Sequence, residues 1–163
     1  MTGIQLKIVS GGQAGADRAA LDWAIRRGVP HGGWCPRGRK AEDGPLDPGY
    51  QLQETVSADY RPRTRQNVID SDGTLVVNIG ALDGGTLETV QFAKRFRKPH
   101  LVLQLDSVPI DACSGQLAAW LRREAIAILN VAGPRESKRP GIYALTADFL
   151  DRALGSLAPK KLP

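Results

Sequence analysis

A chain of 163 residues with 42% apolar and 24% charged side chains sits near the averages of globular proteins, which excludes a wholly disordered or fibrous protein. No apolar run approaches the roughly 18–20 residues that cross a bilayer, and the amino terminus lacks a basic segment followed by an apolar stretch, so a cytoplasmic protein without membrane contact is expected. The 22 basic against 17 acidic residues leave a charge of +5, which favours an anionic partner.

The first segment, IQLKIVS at 4–10, is a β-branched run that stops at Gly11-Gly12 and reads as a strand. After the loop Gly11-Gly12-Gln13-Ala14-Gly15-Ala16, Asp17 is an expected N-cap, and Ala20, Leu21, Ala24 and Ile25 recur at helical spacing up to Gly28. Residues 30–60 are rich in Gly and Pro, with a brief strand-like piece near Gly33-Trp34-Cys35. A long ordered loop is expected there, of the kind that often serves as a binding loop. Residues 64–71 read as a short helix, and GTLVVNI at 73–79 reads as a strand buried on both faces. A second glycine loop, residues 80–85, precedes a helix expected to be capped by Thr86 and to run through Phe96, with Val90, Ala93 and Phe96 inward. HLVLQL at 100–105 is another strand, 116–124 an amphipathic helix, and AIAILNV at 125–131 a last strand. That strand enters the loop of Gly133, Arg135 and Ser137 ahead of a final helix to residue 157.

Strands alternating with helices imply right-handed crossovers and a mostly parallel sheet covered on both faces, an α/β Rossmann-like three-layer sandwich. One ligand-binding domain over 1–158 is expected, with a frayed tail at 159–163.

In such sheets ligands bind beyond the carboxyl ends of the strands, where helix N-termini offer N–H groups. Gly11, Gly12 and Gly15, then Gly84, Gly85 and Thr86, then Gly133, Arg135 and Ser137 occupy such positions. Each loop alone is also what tight strand-to-helix packing requires; three in one small domain favour a phosphate-bearing ligand. The glycine spacing matches neither the Walker A pattern nor the dinucleotide fingerprint, which argues against a P-loop NTPase or an ordinary NAD dehydrogenase. Basic residues in Gly/Pro-rich segments (Arg37, Arg39 and Lys40; Arg61, Arg63 and Arg65; Arg135, Lys138 and Arg139) also suit a phosphate site. No recognition helix or aromatic platform accompanies them, so nucleic acid is not the expected partner. Lys94, Arg95, Arg97 and Lys98 complement a helix C-terminus.

The two cysteines, Cys35 and Cys113, lie far apart without a Cys/His cluster, so reduced thiols and no protein-ligated metal are expected. Cys35 and His31 read as a buried thiol and a hydrogen-bonded imidazole, with contact to a bound ligand as the alternative for each. Trp34 and Tyr50 either pack the long loop or stack on a heterocycle, and Asp70 and Asp72 read as helix-end caps.

Four segments carry a family resemblance: SGGQAGADRAALDWAI at 10–25, RQNVIDSDGTLVV at 65–77, GGTLET at 84–89 and LNVAGPRES at 129–137. Together they resemble the putative molybdenum carrier family, which is similar to molybdenum cofactor carrier proteins and is regarded as a circularly permuted branch of the superfamily of Lonely Guy phosphoribohydrolases. The resemblance implies a non-catalytic, homo-oligomeric (dimeric or tetrameric) carrier of molybdenum cofactor (molybdopterin), or of a molybdate-type oxyanion, as bound ligand. It implies contacts from Ser10, Gly11, Gly12, Gln13 and Gly15 with Asp17 and Arg18; from Gly84, Gly85, Thr86 and Glu88; and from Asn130, Gly133, Arg135 and Ser137. A nucleotide or ADP-ribose-type binding module is the alternative, and a phosphoribohydrolase-like enzyme acting on nucleoside monophosphates through Glu88 and Arg135 is another. The hydrolase motif PGGxGTxxE is altered to Leu82-Asp83-Gly84-Gly85-Thr86-Leu87-Glu88, which lacks the proline and shortens the spacing to the glutamate.

Overall fold

The computed structural model describes residues 5–159; residue 4 of the first expected strand and residues 160–163 of the expected tail lie outside them. Four parallel strands arise where expected: β1 (Lys7–Val9), β5 (Gly73–Asn78), β6 (His100–Gln104) and β7 (Ile128–Ala132). The stretch 30–60 is not wholly loop. It contributes β2 (His31–Gly32), which pairs with β1, and β3 (Trp34–Cys35) and β4 (Gln53–Glu54), which form a separate parallel pair. The main sheet runs β2-β1-β7-β5-β6, so β1 steps outward to β2 while β5 steps the other way to β6, with β7 between the two halves. All six residues of β5 are buried, because strands flank it on both edges and helices cover both faces.

The helices are α1 (Ala16–Arg27), α2 (Tyr60–Asp70), α3 (Gly84–Arg95), α4 (Ile110–Arg123) and α5 (Ile142–Leu154), the last followed by a 3-10 turn over Gly155–Leu157. One layer joins α1, α5 and α4 around Trp23, Leu117, Trp120, Phe149 and Leu150; the other joins α2 and α3 around Val68, Phe92 and Ala93, with Phe96 half-buried at its edge. The result is the Rossmann-like α/β sandwich. The Trp23 indole N–H donates to Asp151 at 2.8 Å, tying α1 to α5. Among the described residues no helix is long and apolar enough to cross a membrane.

Several helix starts differ from the sequence reading. Gly15, not Asp17, is the N-cap of α1, and Asp83, not Thr86, precedes α3. Helix α2 begins at Tyr60 instead of residue 64, because Pro62 falls in the first turn, where its missing N–H does no harm. Helix α4 starts at Ile110, six residues before the expected position. Asp72 caps no helix: its carboxylate accepts the N–H groups of Ala127 and Ile128 at 3.0 and 2.7 Å and fixes the start of β7.

Gly15 has φ +105° and ψ −132°, a conformation that only glycine adopts readily, and a Cβ there would collide with the backbone of Pro134 and Glu136. Gly15→Ala is therefore expected to destabilise the protein by roughly 1–3 kcal/mol from backbone strain alone. Urea denaturation of the two proteins measures it; an unchanged midpoint would show that the first loop can separate from the third.

Candidate functional site

The carboxyl ends of β1, β5 and β7 meet where the two halves of the sheet diverge, the usual place for a ligand in an open α/β sheet. A cleft of roughly 90 Å³ opens there, lined by Gln13 and Asp17, by Tyr60, Arg63 and Thr64 of α2, by Gly85, Thr86, Glu88 and Thr89 of α3, and by 132–135 with Lys138. A narrower recess continues from it past Gly11, Asn67 and Asn130.

The three glycine loops are not equivalent here, because the protein's own side chains already cover two of them. Asp17 is buried in the first turn of α1, its carboxylate accepts an Arg63 N–H at 3.2 Å, and the nearby backbone N–H groups of Gln13 and Gly133 favour its charged form. Burial pushes the Asp17 carboxyl above its ordinary range, and the Arg63 charge and the two N–H groups offset this only in part. A Cβ on Gly11 would strike the Arg63 guanidinium, and one on Gly12 would strike Leu46, so these glycines accommodate α2 and the long loop. Glu136 accepts the N–H groups of Gly141 and Tyr143 at 2.6 and 2.9 Å, filling the start of α5. Ser137 donates its N–H and its hydroxyl to Glu42 at 3.2 and 2.5 Å.

The start of α3 is different. Asp83 stands at the N-cap position but makes no capping bond, because Lys138 at 2.6 Å and Arg139 at 3.4 Å hold its carboxylate. Gly85 and Thr86, in the first turn, line the cleft, and open space lies where a Gly85 side chain would be. The start of α3, with its positive dipole end and no capping side chain, therefore borders the cleft.

Gln13 supplies a further donor. Its Oε1 accepts N–H groups from Ala14 and Glu42 at 3.0 and 2.8 Å, which fixes the amide orientation, since both partners can only donate. The Nε2 amide is left buried without a partner on a side chain that is 6% exposed and lines the cleft. Arg63 Nε is likewise buried and unpartnered. Three cations surround the Tyr60 ring, Lys40 at 4.9 Å, Arg63 at 5.5 Å and Arg135 at 5.8 Å from its centre. The carboxylate nearest Arg135 is that of Glu42 at 3.9 Å, and Glu88 is paired with Arg61 at 3.0 Å. The two buried unpartnered groups of the cleft, Gln13 Nε2 and Arg63 Nε, are both donors.

Of the residues expected at a site, Gln13, Asp17, Gly85, Thr86, Glu88, Gly133 and Arg135 line the cleft, and Gly11 and Asn130 line the recess. Ser10, Gly12, Gly15, Arg18, Gly84 and Ser137 line neither. Ser10 donates to the Asp17 carbonyl, and Arg18 makes a bidentate pair with Asp43 at 3.0 Å. Tyr60, Arg63, Thr64, Thr89 and Lys138 complete the cleft. Arg63 and Lys138 stand within the basic segments legible in the sequence, but only the turn of α2 selects Arg63 over Arg61 and Arg65, whose guanidiniums lie outward over Phe92 and Phe96.

Trp34 and Tyr50 fasten the long loop: the indole N–H donates to Asp70 at 2.8 Å and the phenol to Asp22 at 2.5 Å. His31 accepts the Gln51 N–H at 3.2 Å, and burial together with Lys7 lowers its pKa. Both cysteines are buried free thiols, and burial pushes the Cys35 thiol upward. Among the described residues no group of three His, Cys, Asp or Glu side chains is placed to hold a metal ion.

No curated protein matches the chain. The crystal structure of a protein named putative molybdenum carrier protein from Syntrophus aciditrophicus is 47% identical and superposes with a TM-score of 0.91. The match covers 93% of this chain and 96% of the other. The model of the circularly permutated YpsA SLOG family matches residues 8–154, which hold all but the first residue of β1, the other strands, the five α-helices and the three loops that meet at the cleft; the chain belongs to that family.

Proposed function

We propose that the cleft binds an anionic small molecule through a phosphate or comparable oxyanion, and that the protein carries molybdenum cofactor or a molybdate-type oxyanion instead of transforming it. The observation that carries this reading is the orphaned Nε2 amide of Gln13, buried in a cleft that Arg63 and the uncapped start of α3 also line. Leaving a buried donor unpaired costs about 1–3 kcal/mol, and an anion in the cleft removes that penalty. The name of the Syntrophus aciditrophicus protein supports a molybdenum-related cargo. A molybdenum centre already chelated by its pterin dithiolene needs no protein ligand, so phosphate donors suffice to hold it. Mass spectrometry of ligand released from protein purified under anaerobic conditions tests the reading. A pterin or a molybdenum oxyanion is expected; a nucleotide or no ligand would overturn it.

Arg135 lines the cleft half-exposed, with its nearest carboxylate at 3.9 Å, so its attraction to a bound anion is open to solvent ions. Arg135→Ala is expected to weaken molybdate or phosphate binding by about 1–3 kcal/mol if it makes a charged hydrogen bond. The wild-type affinity should also fall as sodium chloride is raised. Calorimetric titration of both proteins at two salt concentrations checks this; equal affinities would make Arg135 a support of the loop only.

A further inference from the structure

Two carboxylates border the cleft, and they are neutralised differently. Glu88 on α3 is 31% exposed and pairs with Arg61, which stands outside the lining. Asp17 on α1 is 4% exposed, lines both the cleft and the recess behind it, and among the described residues has one ion-pair partner, Arg63 at 3.2 Å. Arg63 lines both spaces as well, and its Nε is one of the two buried donors left without a partner. An oxyanion that uses this guanidinium therefore shares it with Asp17, so two negative charges meet at one cation away from bulk water. Of the other cations in the lining, Arg135 is half-exposed with Glu42 as its nearest carboxylate, and Lys138 holds Asp83 at 2.6 Å; Arg63 is the charge that acts on Asp17. On the same helix, Arg18 is committed to Asp43, and Asp22 accepts from Tyr50 and Tyr143. His31 and His100 line neither space. Burial already pushes the Asp17 carboxyl upward, and a second negative charge beside it acts in the same direction.

We propose that Asp17 makes the cleft selective for oxyanions that bring a proton of their own. Hydrogen phosphate, sulfate and molybdate are all tetrahedral dianions at mildly alkaline pH. Hydrogen phosphate keeps one O–H, which donates to the Asp17 carboxylate. Sulfate and molybdate have none, so their lone pairs meet those of the carboxylate until Asp17 takes a proton from solvent and becomes the donor. In either complex one proton lies between the two anions; it arrives on the ligand in the first case and from water in the second. A phosphate monoester, with its second pKa about 6, regains its proton at small cost near neutral pH, whereas sulfate and molybdate do not. This inference rests on the cleft being an anion site and deepens that reading: the group the cleft accepts best is a phosphate, free or at the end of a larger ligand, ahead of free molybdate.

Calorimetric titrations of the wild-type protein with inorganic phosphate, sulfate and molybdate at pH 8, each in two buffers of different ionisation enthalpy, read affinity and proton uptake together. Phosphate is expected to bind at least tenfold more tightly than the other two and without net proton uptake. Sulfate and molybdate are expected to bind with uptake and to tighten as pH is lowered to 6.5, by at most about tenfold per pH unit for one coupled proton. Asp17→Asn keeps the shape without the charge and offers both a donor and an acceptor. In the folded variant the uptake should disappear and the three anions should bind within about threefold of one another at pH 8. Equal affinities without proton uptake in wild type would overturn the role of Asp17 and leave the anion site standing, as would uptake that persists in folded Asp17→Asn. If that variant does not fold, the wild-type comparison of the three anions decides alone. Failure of all three anions to bind wild type at either pH would overturn the anion site and the selectivity together.

Discussion

Arg63→Ala is expected to destabilise the protein by about 3–5 kcal/mol, the usual consequence of removing one partner from a buried ion pair. Arg63 and Asp17 side chains are only 13% and 4% exposed, and alanine would leave the Asp17 carboxylate facing Gln13 and Gly133 N–H groups with its principal countercharge gone. The pH dependence has a definite sign. Asp17 has a folded pKa above its unfolded value, so the folded state binds the proton more tightly and ionisation of Asp17 opposes folding as pH rises. Loss of Arg63 pushes that pKa higher still, so the deficit of the variant should be larger at an alkaline pH than at an acidic one. Urea denaturation at both pH values checks it. A deficit independent of pH would mean that lost packing over Gly11, not the stranded charge, dominates.

Gly85→Asp is expected to abolish anion binding without harming the fold. Nothing lies within 4 Å of the place a Gly85 side chain would take, so a new carboxylate fits. At the start of α3 it interacts favourably with the helix dipole by about 0.3–1 kcal/mol, and replacing a helical glycine adds a further contribution of roughly 0.5–1 kcal/mol. The same carboxylate would stand where the proposed anion would be held. At about 4 Å and an effective dielectric near 20 the repulsion is about 4 kcal/mol, which predicts at least a hundredfold loss of affinity for molybdate or phosphate. Thermal denaturation and calorimetric titration of the same sample separate the two effects. Tight binding retained by a stable variant would remove α3 from the site.

Particular residues show how much of this was legible in the sequence. The GTLVVN run of β5 announced a strand buried on both faces, and the alternation of strand and helix gave the sandwich. Two-residue strands such as β2, β3 and β4 carry no periodicity, so the stretch 30–60 read as loop. The start of α1 was misplaced because the expected cap, Asp17, is held instead by Arg63 from 46 residues away. The same diversion hid the site. All three glycine loops looked alike as anion cradles, and which of them stays open depends on where Asp17, Glu42 and Glu136 point, through contacts up to 95 residues apart in the chain. Gln13 was legible as part of a loop, but its free amide appears only once the Glu42 N–H has claimed its oxygen.

The central claim, that the cleft holds an oxyanion at the start of α3, is tested most directly by soaking crystals in sodium molybdate or tungstate and locating the metal by anomalous scattering. The account predicts a single strong peak within hydrogen-bond reach of the Gly85 and Thr86 N–H groups, with Gln13 Nε2 and Arg63 among its neighbours. Peaks confined to exposed lysines and arginines away from the cleft would contradict it.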